Sequence, residues 1–220
     1  MSLASLLKEH GQMRTYRHGT SVLLQGEIPR HVYVVLDGLV RAYTISSSGE
    51  ERYVGLYGKG DVFPLSFAIG EATSALFYYE AVSDTRALCV DKPSFDNALL
   101  TNHDAATSLL AHVGREYTTL TLRLTALAQA RTIEKLAYTF YFLVFRYGIE
   151  REKGWYVIDI KLTQSMLGSL IGQTREGTAR NLKQLVRAGV VQYKGSLYSV
   201  HREKLISFLG EDAFRDIAQH

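Results

Sequence analysis

Between Ala105 and Arg131 the chain contains no proline and no turn cluster, and Gly114 is the only helix breaker. Within that stretch Ala106, Leu110, Val113, Tyr117, Leu120, Leu124 and Leu127 step by 4, 3, 4, 3, 4 and 3 residues. Alternating steps of three and four are the a/d pattern of a helix whose apolar stripe meets a partner helix. The spacing predicts one helix over 105–130. A helix lying on its own domain can show a similar stripe. The regularity favours a second helix, most simply that of a second copy, because symmetric pairing is the commonest association. The expected seam is Leu110, Val113, Tyr117, Leu120, Leu124 and Leu127.

This helix separates an N-terminal segment, 1–104, from a C-terminal one, 131–220. In the first, VYVVL (32–36), LVRAYTI (39–45), RYVGLY (52–57) and TRALCV (85–90) are strand-like runs punctuated by glycine. Asp37-Gly38 between two of them reads as a hairpin turn. Regular short strands predict an antiparallel β-roll. In the second, a helix runs through Arg146 and IEREKG reads as a turn. A strand over Trp155–Ile160, two short helices and a hairpin at Lys194-Gly195 then follow, the order of a winged helix. The fold class is therefore α+β: an N-terminal antiparallel β-roll, a long dimerisation helix and a C-terminal winged helix-turn-helix.

Several classes are excluded early. The longest apolar run, AYTFYFLVF (137–145), is far shorter than the roughly 20 residues that span a bilayer. The start, MSLASLLKEH, lacks the pattern of a signal peptide. The single cysteine, Cys89, excludes a disulfide framework and a multi-cysteine cluster, and suits a reducing cytoplasm. No histidine lies between His31 and His103, so haem is not expected, nor is any metal or catalytic constellation visible. Charge is uneven: residues 1–130 carry 11 Lys/Arg against 13 Asp/Glu, and 161–204 carry 8 against 2. A basic window can be a solvated face or a surface for phosphate, and charge alone does not decide.

The stretch LTQSMLGSLIGQTREGTARNLKQLVRAGVV (162–191) carries more information. Thr163 can cap a first helix whose inward face is Met166, Leu167, Leu170 and Ile171. Gly172 suits the turn. Thr174 can cap a second helix with Leu182, Leu185 and Val186 inward and Arg175, Glu176 and Arg180 elsewhere. Arginine offers two parallel donors to guanine, and glutamate accepts from cytosine, when a helix start enters the major groove. An ordinary surface ion pair between Glu176 and Arg180 would explain their spacing equally well. Gly177 costs helix stability, which a close approach of backbone to DNA, or mere accident, would account for.

LGSLIGQTREGTARNLKQL resembles the helix-turn-helix of the catabolite activator (CRP/FNR) family, roughly I-G-x-x-x-G-x-S/T-R-E-T-x-x-R-x-L-x-x-L. QGEIPRHVYVVLDGLVRAY and GLYGKGDVF are similar to that family's G-E-x…G-x-V and G-D-x-F/I elements, and the agreement runs from about Arg14 to Phe208. The resemblance implies a homodimeric transcription regulator, not an enzyme, that works with RNA polymerase. It places Arg175, Glu176 and Arg180 at the base-reading positions and implies an inverted pair of TGTGA-like half-sites. Ala179 stands where the family's oxygen sensors carry serine. Thr174, Lys183, Arg187 and Lys194 are expected phosphate contacts or, alternatively, solvated residues.

The chain departs from the family where cyclic AMP is held. Leu65 replaces the glutamate, and Ala75 and Leu76 stand where arginine and serine would be, so no side chain there can hold a phosphodiester. Cyclic nucleotides are not expected as effectors. The aromatic stretch around them reads either as roll core or as an apolar effector pocket. The candidate pocket residues are Arg52, Phe63, Leu65, Phe67, Leu76, Phe77, Tyr78, Tyr79 and Leu120. An effector-free regulator, a roll-based small-molecule enzyme and a module acting on a partner protein are the competing readings. The enzyme would need clustered histidine and carboxylate ligands, which the sequence lacks.

Overall fold

The computed structural model describes residues 2–210, and the last ten residues of the expected C-terminal domain lie outside that range. The chain divides into two compact units, 1–114 and 115 onward. The division falls inside the long helix, whereas the sequence suggested three segments bounded at the helix ends.

The first unit begins with a short helix α1 (Leu3–Leu6), a 3-10 turn (Lys8–His10) and strands β1 (Gly11–Tyr16), β2 (Ser21–Leu23), β3 (His31–Asp37), β4 (Val40–Ile45), β5 (Glu51–Tyr57) and β6 (Val62–Phe63). Helix α2 (Leu65–Ala68), strands β7 (Tyr78–Ala81) and β8 (Thr85–Asp91), helix α3 (Lys92–Thr101) and the long α4 (His103–Ala128) follow. Two antiparallel four-stranded sheets, ordered β1-β8-β3-β6 and β2-β7-β4-β5, make the roll. Strand period two sorts β3 cleanly. Tyr33 and Val35 face the other sheet and share a core cluster with its Val40, Ala42 and Tyr79 and with Phe63 of their own sheet. Val32 and Val34 face outward, under Leu3, Leu7, Phe95 and Leu109. Both faces of β3 are thus buried, which explains its unbroken apolar run.

Asp37-Gly38 does not close a hairpin. β3 pairs with β8 and β6, whereas β4 pairs with β5 and β7. The turn is a corner between sheets, fastened by the Leu39 amide donating to Ser83 Oγ and Thr85 Oγ1 at 3.0 and 3.1 Å. Gly38 has φ +90, and a Cβ there would meet Asp84 O at 2.4 Å, so only glycine turns this corner.

The second unit holds the C-terminal half of α4, then α5 (Thr132–Tyr147), β9 (Gly148–Glu152), β10 (Trp155–Ile158), α6 (Gln164–Ile171), α7 (Arg175–Arg187), β11 (Val191–Lys194), β12 (Leu197–His201) and α8 (Arg202–Leu209). Leu136–Val144 are buried all round in α5, as a helix apolar on every side requires. No helix among the described residues is long and apolar enough to cross a membrane. The IEREKG segment, expected as a turn, is mostly strand: Ile149 pairs with Val157 and Glu150 with Tyr156. Its charges suit an exposed edge, and only Lys153-Gly154 turns, with Gly154 at φ +78.

Candidate nucleic-acid interface

Two capped helices build the site. Thr163 Oγ1 accepts from the Met166 amide at 3.1 Å to start α6, and Gly172, left-handed at φ 67 and ψ 38, ends it. Thr174 Oγ1 accepts from the Gly177 amide at 3.1 Å and starts α7 two residues later. The helices approach closely at Gly168, where a Cβ would lie 2.7 Å from Gln173 O and 3.0 Å from Thr178 Oγ1. Thr178 is fully buried and donates to Thr174 O at 2.9 Å.

The inner face of α7 is Gly177, Thr178, Leu182 and Leu185. Val186, expected inside, is 38% exposed, and Thr178 takes the buried role. A threonine whose hydroxyl is satisfied by the preceding turn fills an inward place that hydrophobic patterning alone does not reveal. Gly177 has an internal account, since a Cβ would sit 3.3 Å from Thr174 Oγ1 and 3.5 Å from Gln173 Oε1. Its small size serves the cap.

Glu176, Arg180, Lys183 and Arg187 follow at steps of four, three and four along the opposite face, with Arg175 beside Glu176, and all five are exposed. No ion pair joins Glu176 to Arg180 among the described residues, so the surface-pair explanation of their spacing is not realised. The first-turn amides of a helix have no acceptor within it, which adds positive potential where Arg175 and Glu176 stand. Thr174 is exposed and its hydroxyl hydrogen can serve an outside acceptor. Lys194 is exposed at the end of β11, beside a wing turn made by Gly195 and Ser196. An open cleft of about 520 Å³ joins Thr163, Gln164, Ser165, Arg175, Gly195 and Ser196. Sequence reasoning missed Gln164, Ser165 and Ser196. Their signal was their place in the first turn of a capped helix and at a wing tip, where amides and hydroxyls point outward.

The expected effector pocket does not form as one site. Phe63, Phe77 and Tyr79 belong to the core between the sheets, whereas Leu65 and Phe67 pack on the cluster outside the first sheet. Tyr78 points away from the interior and stacks on Tyr43 at 5.2 Å. Leu76 is exposed, Leu120 is exposed on the part of α4 in the second unit, and Arg52 is exposed and paired with Glu50 at 3.0 Å. β7 alternates its side chains between the two faces of its sheet, which parts Tyr79 from Tyr78. The arginine that the roll does bury is Arg41, which binds Glu51, Glu80 and the Tyr53 hydroxyl and lies over the Tyr43 ring.

Stacked rings occupy the space between the sheets. Tyr33 and Phe63 lie 5.0 Å apart, Phe63 and Tyr79 5.2 Å, and Tyr57 closes the group at 5.6 and 5.8 Å. Tyr16 reaches Cys89 Sγ at 3.7 Å. Burial pushes the Tyr33 phenol up to about 12 and also raises Tyr16, Tyr79 and the Cys89 thiol.

Along the seam, Leu110, Tyr117, Leu120, Leu124 and Leu127 are exposed, the first two by 71% and 73%. Val113 and Ala106 are half-buried. Ala105, Leu109, His112, Leu122 and Ala126 form the buried stripe of the same helix. The helix therefore carries two stripes, one packed and one uncovered.

The family model for the Cyclic nucleotide-binding domain matches residues 13–102, and that for the Crp-like helix-turn-helix domain matches 134–208. A Global nitrogen regulator of Synechococcus elongatus is 23% identical over 214 residues, covering 94% of this chain and 93% of the relative. A Cyclic AMP receptor protein of Thermus thermophilus is 25% identical, covering 89% and 86%. The structure of FixK2 from Bradyrhizobium japonicum superposes with a TM-score of 0.73 at 24% identity, covering 90% of this chain and 96% of that one. Roll, long helix and winged helix-turn-helix occur here in the order those relatives share. The chain belongs to the CRP/FNR family and is a DNA-binding transcription regulator.

Proposed function

We propose that this regulator acts as a homodimer on an inverted pair of TGTGA-like half-sites and works with RNA polymerase. Its effector, in this reading, is not a cyclic nucleotide, and it needs no metal or haem. The carrying observation is the outward stripe on α7. Arg175, Glu176 and Arg180 are exposed and unengaged, while the opposite face is packed against its own unit. That arrangement leaves two guanidinium forks and a carboxylate available to base edges. Lys183, Arg187, Lys194 and the wing cleft supply phosphate contacts around them. The uncovered leucines of α4 support pairing with a second copy.

Two features support a different effector. The Ala75 amide donates to Glu27 O and its carbonyl accepts from Gly26, both at 2.8 Å, so that amide is not available to a phosphate. Leu65 and Leu76 add none, and stacked rings fill the space between the sheets.

Selection from a random DNA library by the full chain tests the reading. Enrichment of an inverted repeat with TGTGA-like arms is expected, and absence of any enriched motif would sink it. Calorimetry with cyclic AMP and cyclic GMP should show no heat at millimolar ligand. Micromolar affinity for either would overturn the effector assignment.

A further inference from the structure

We propose that a cavity on the outer side of the first sheet binds a medium-chain monocarboxylate. The cavity lies wholly within the first unit, between α1 and the sheet, and measures about 280 Å³. Its apolar walls come from Ala4 on α1, Met13 on β1, Leu36 on β3 and Leu88 on β8. Lys8 and Lys59 bring two cations to the lining and Ser2 and Ser5 two hydroxyls that can donate to an anionic head, and no carboxylate lines it. Neither lysine pairs with an acid among the described residues.

This combination selects by chemistry. Apolar walls favour hydrocarbon, each methylene taken from water tightening binding by about fourfold. A neutral chain would gain nothing from the two exposed ammonium groups, and a cation would be repelled. A hydrocarbon tail with one compact anionic head answers both features. The volume lies just below the roughly 300 Å³ at which small-molecule pockets begin, which disfavours a nucleotide or a coenzyme-linked acyl group.

The site also has a route to the rest of the unit. Gly60 lines the cavity and bonds through its amide to Val35 O at 2.8 Å. Two residues on, the Val62 amide donates to Nε2 of buried His112 on α4 at 3.2 Å. A chain wedged against Lys59-Gly60 presses on the segment bonded to the long helix. As the regulator's effector the ligand rests on the proposed function; as a bound molecule it does not.

Calorimetry of the full chain with sub-micellar decanoate, hexanoate and decan-1-ol is the test. Decanoate should bind, and hexanoate at least tenfold more weakly. The exposed double substitution Lys8→Gln/Lys59→Gln should weaken decanoate by about five- to tenfold and leave decan-1-ol unchanged, since only the head group loses its partners. Ala4→Trp should fill the cavity and abolish binding of both. No decanoate heat at millimolar ligand, or equal decanoate affinity in the double variant, overturns the inference. A chain that selects a DNA motif but ignores decanoate also overturns it and leaves the proposed function standing. A chain that binds decanoate but selects no motif upholds the cavity and sinks that function.

Discussion

Arg180 and Lys183 stand three residues apart on one stripe of α7, about 4.5 Å along the axis at 1.5 Å per residue. In the proposed docking Arg180 shares the N-terminal half of α7 with Glu176 and faces base edges, whereas Lys183, further along, faces the phosphate backbone. Arg180→Ala should therefore cost about 1–3 kcal/mol on the cognate site and relax preference at one base pair. Lys183→Ala should weaken all sequences alike and lower the salt slope by about one unit. Site selection with each variant across a salt titration separates the two. Uniform loss for Arg180→Ala, with base preferences intact, would reduce it to a phosphate anchor. The two glycines of the motif differ just as sharply. Gly168→Ala drives a Cβ to 2.7 Å from backbone Gln173 O, and overpacking of this kind costs about 1–3 kcal/mol in denaturant titration. Gly177→Ala meets two side-chain oxygens, at 3.3 and 3.5 Å, and gains about 1 kcal/mol of helix propensity, so its stability should stay within about 1 kcal/mol of the native chain. Unchanged stability in Gly168→Ala would mean that the helices tolerate separation there.

Elements with a strong local signature were legible in the sequence, and those defined by their neighbours were not. The caps at Thr163 and Thr174, the left-handed Gly172 and the long α4 follow from side-chain chemistry within a few residues, and the structure contains each. β7 was opaque because Leu76–Tyr79 is an unbroken apolar run. Only pairing with β2 and β4 decides that Tyr79 faces inward and Tyr78 outward. The charged β9 was opaque for a related reason, since an edge strand next to β10 needs little of its own to be one. The Asp37-Gly38 corner carries a hairpin's residues but joins different sheets, a distinction held in long-range pairing. The stack between the sheets yields a pH prediction. Tyr33 is raised by burial from an ordinary value of 10.0 to about 12, so above pH 10 the unfolded chain loses its proton first. Its contribution is complete below pH 10 and fades as pH rises towards 12. Tyr33→Phe should thus lose less stability between pH 10 and 12 than the native chain, measured by denaturation at each pH. An identical alkaline decline in both proteins would show that Tyr33 does not carry this dependence.

At the scale of the whole molecule, the uncovered stripe of α4 is the surface on which the proposed pairing rests. Leu122 and Ala126 are buried on one side of the helix, while Tyr117, Leu120, Leu124 and Leu127 are exposed on another, so the exposed set is not needed to hold α4 in its own unit. Burying a leucine fully is worth about 1.5–3 kcal/mol, and a two-fold seam buries each such residue twice. Leu120→Glu would place two carboxylates in that seam, where desolvation and mutual repulsion both oppose association. The variant should keep its native circular dichroism, because Leu120 faces solvent in the single chain, yet sediment as a monomer. Affinity for an inverted repeat should then fall towards that for one half-site, while single half-site affinity holds, since the α7 stripe is untouched. That split distinguishes lost pairing from a damaged reading helix, which would weaken both DNA targets together. A Leu120→Glu protein that sediments as a dimer and binds the repeat normally would remove α4 as the seam, and the exposed leucines would then need another partner.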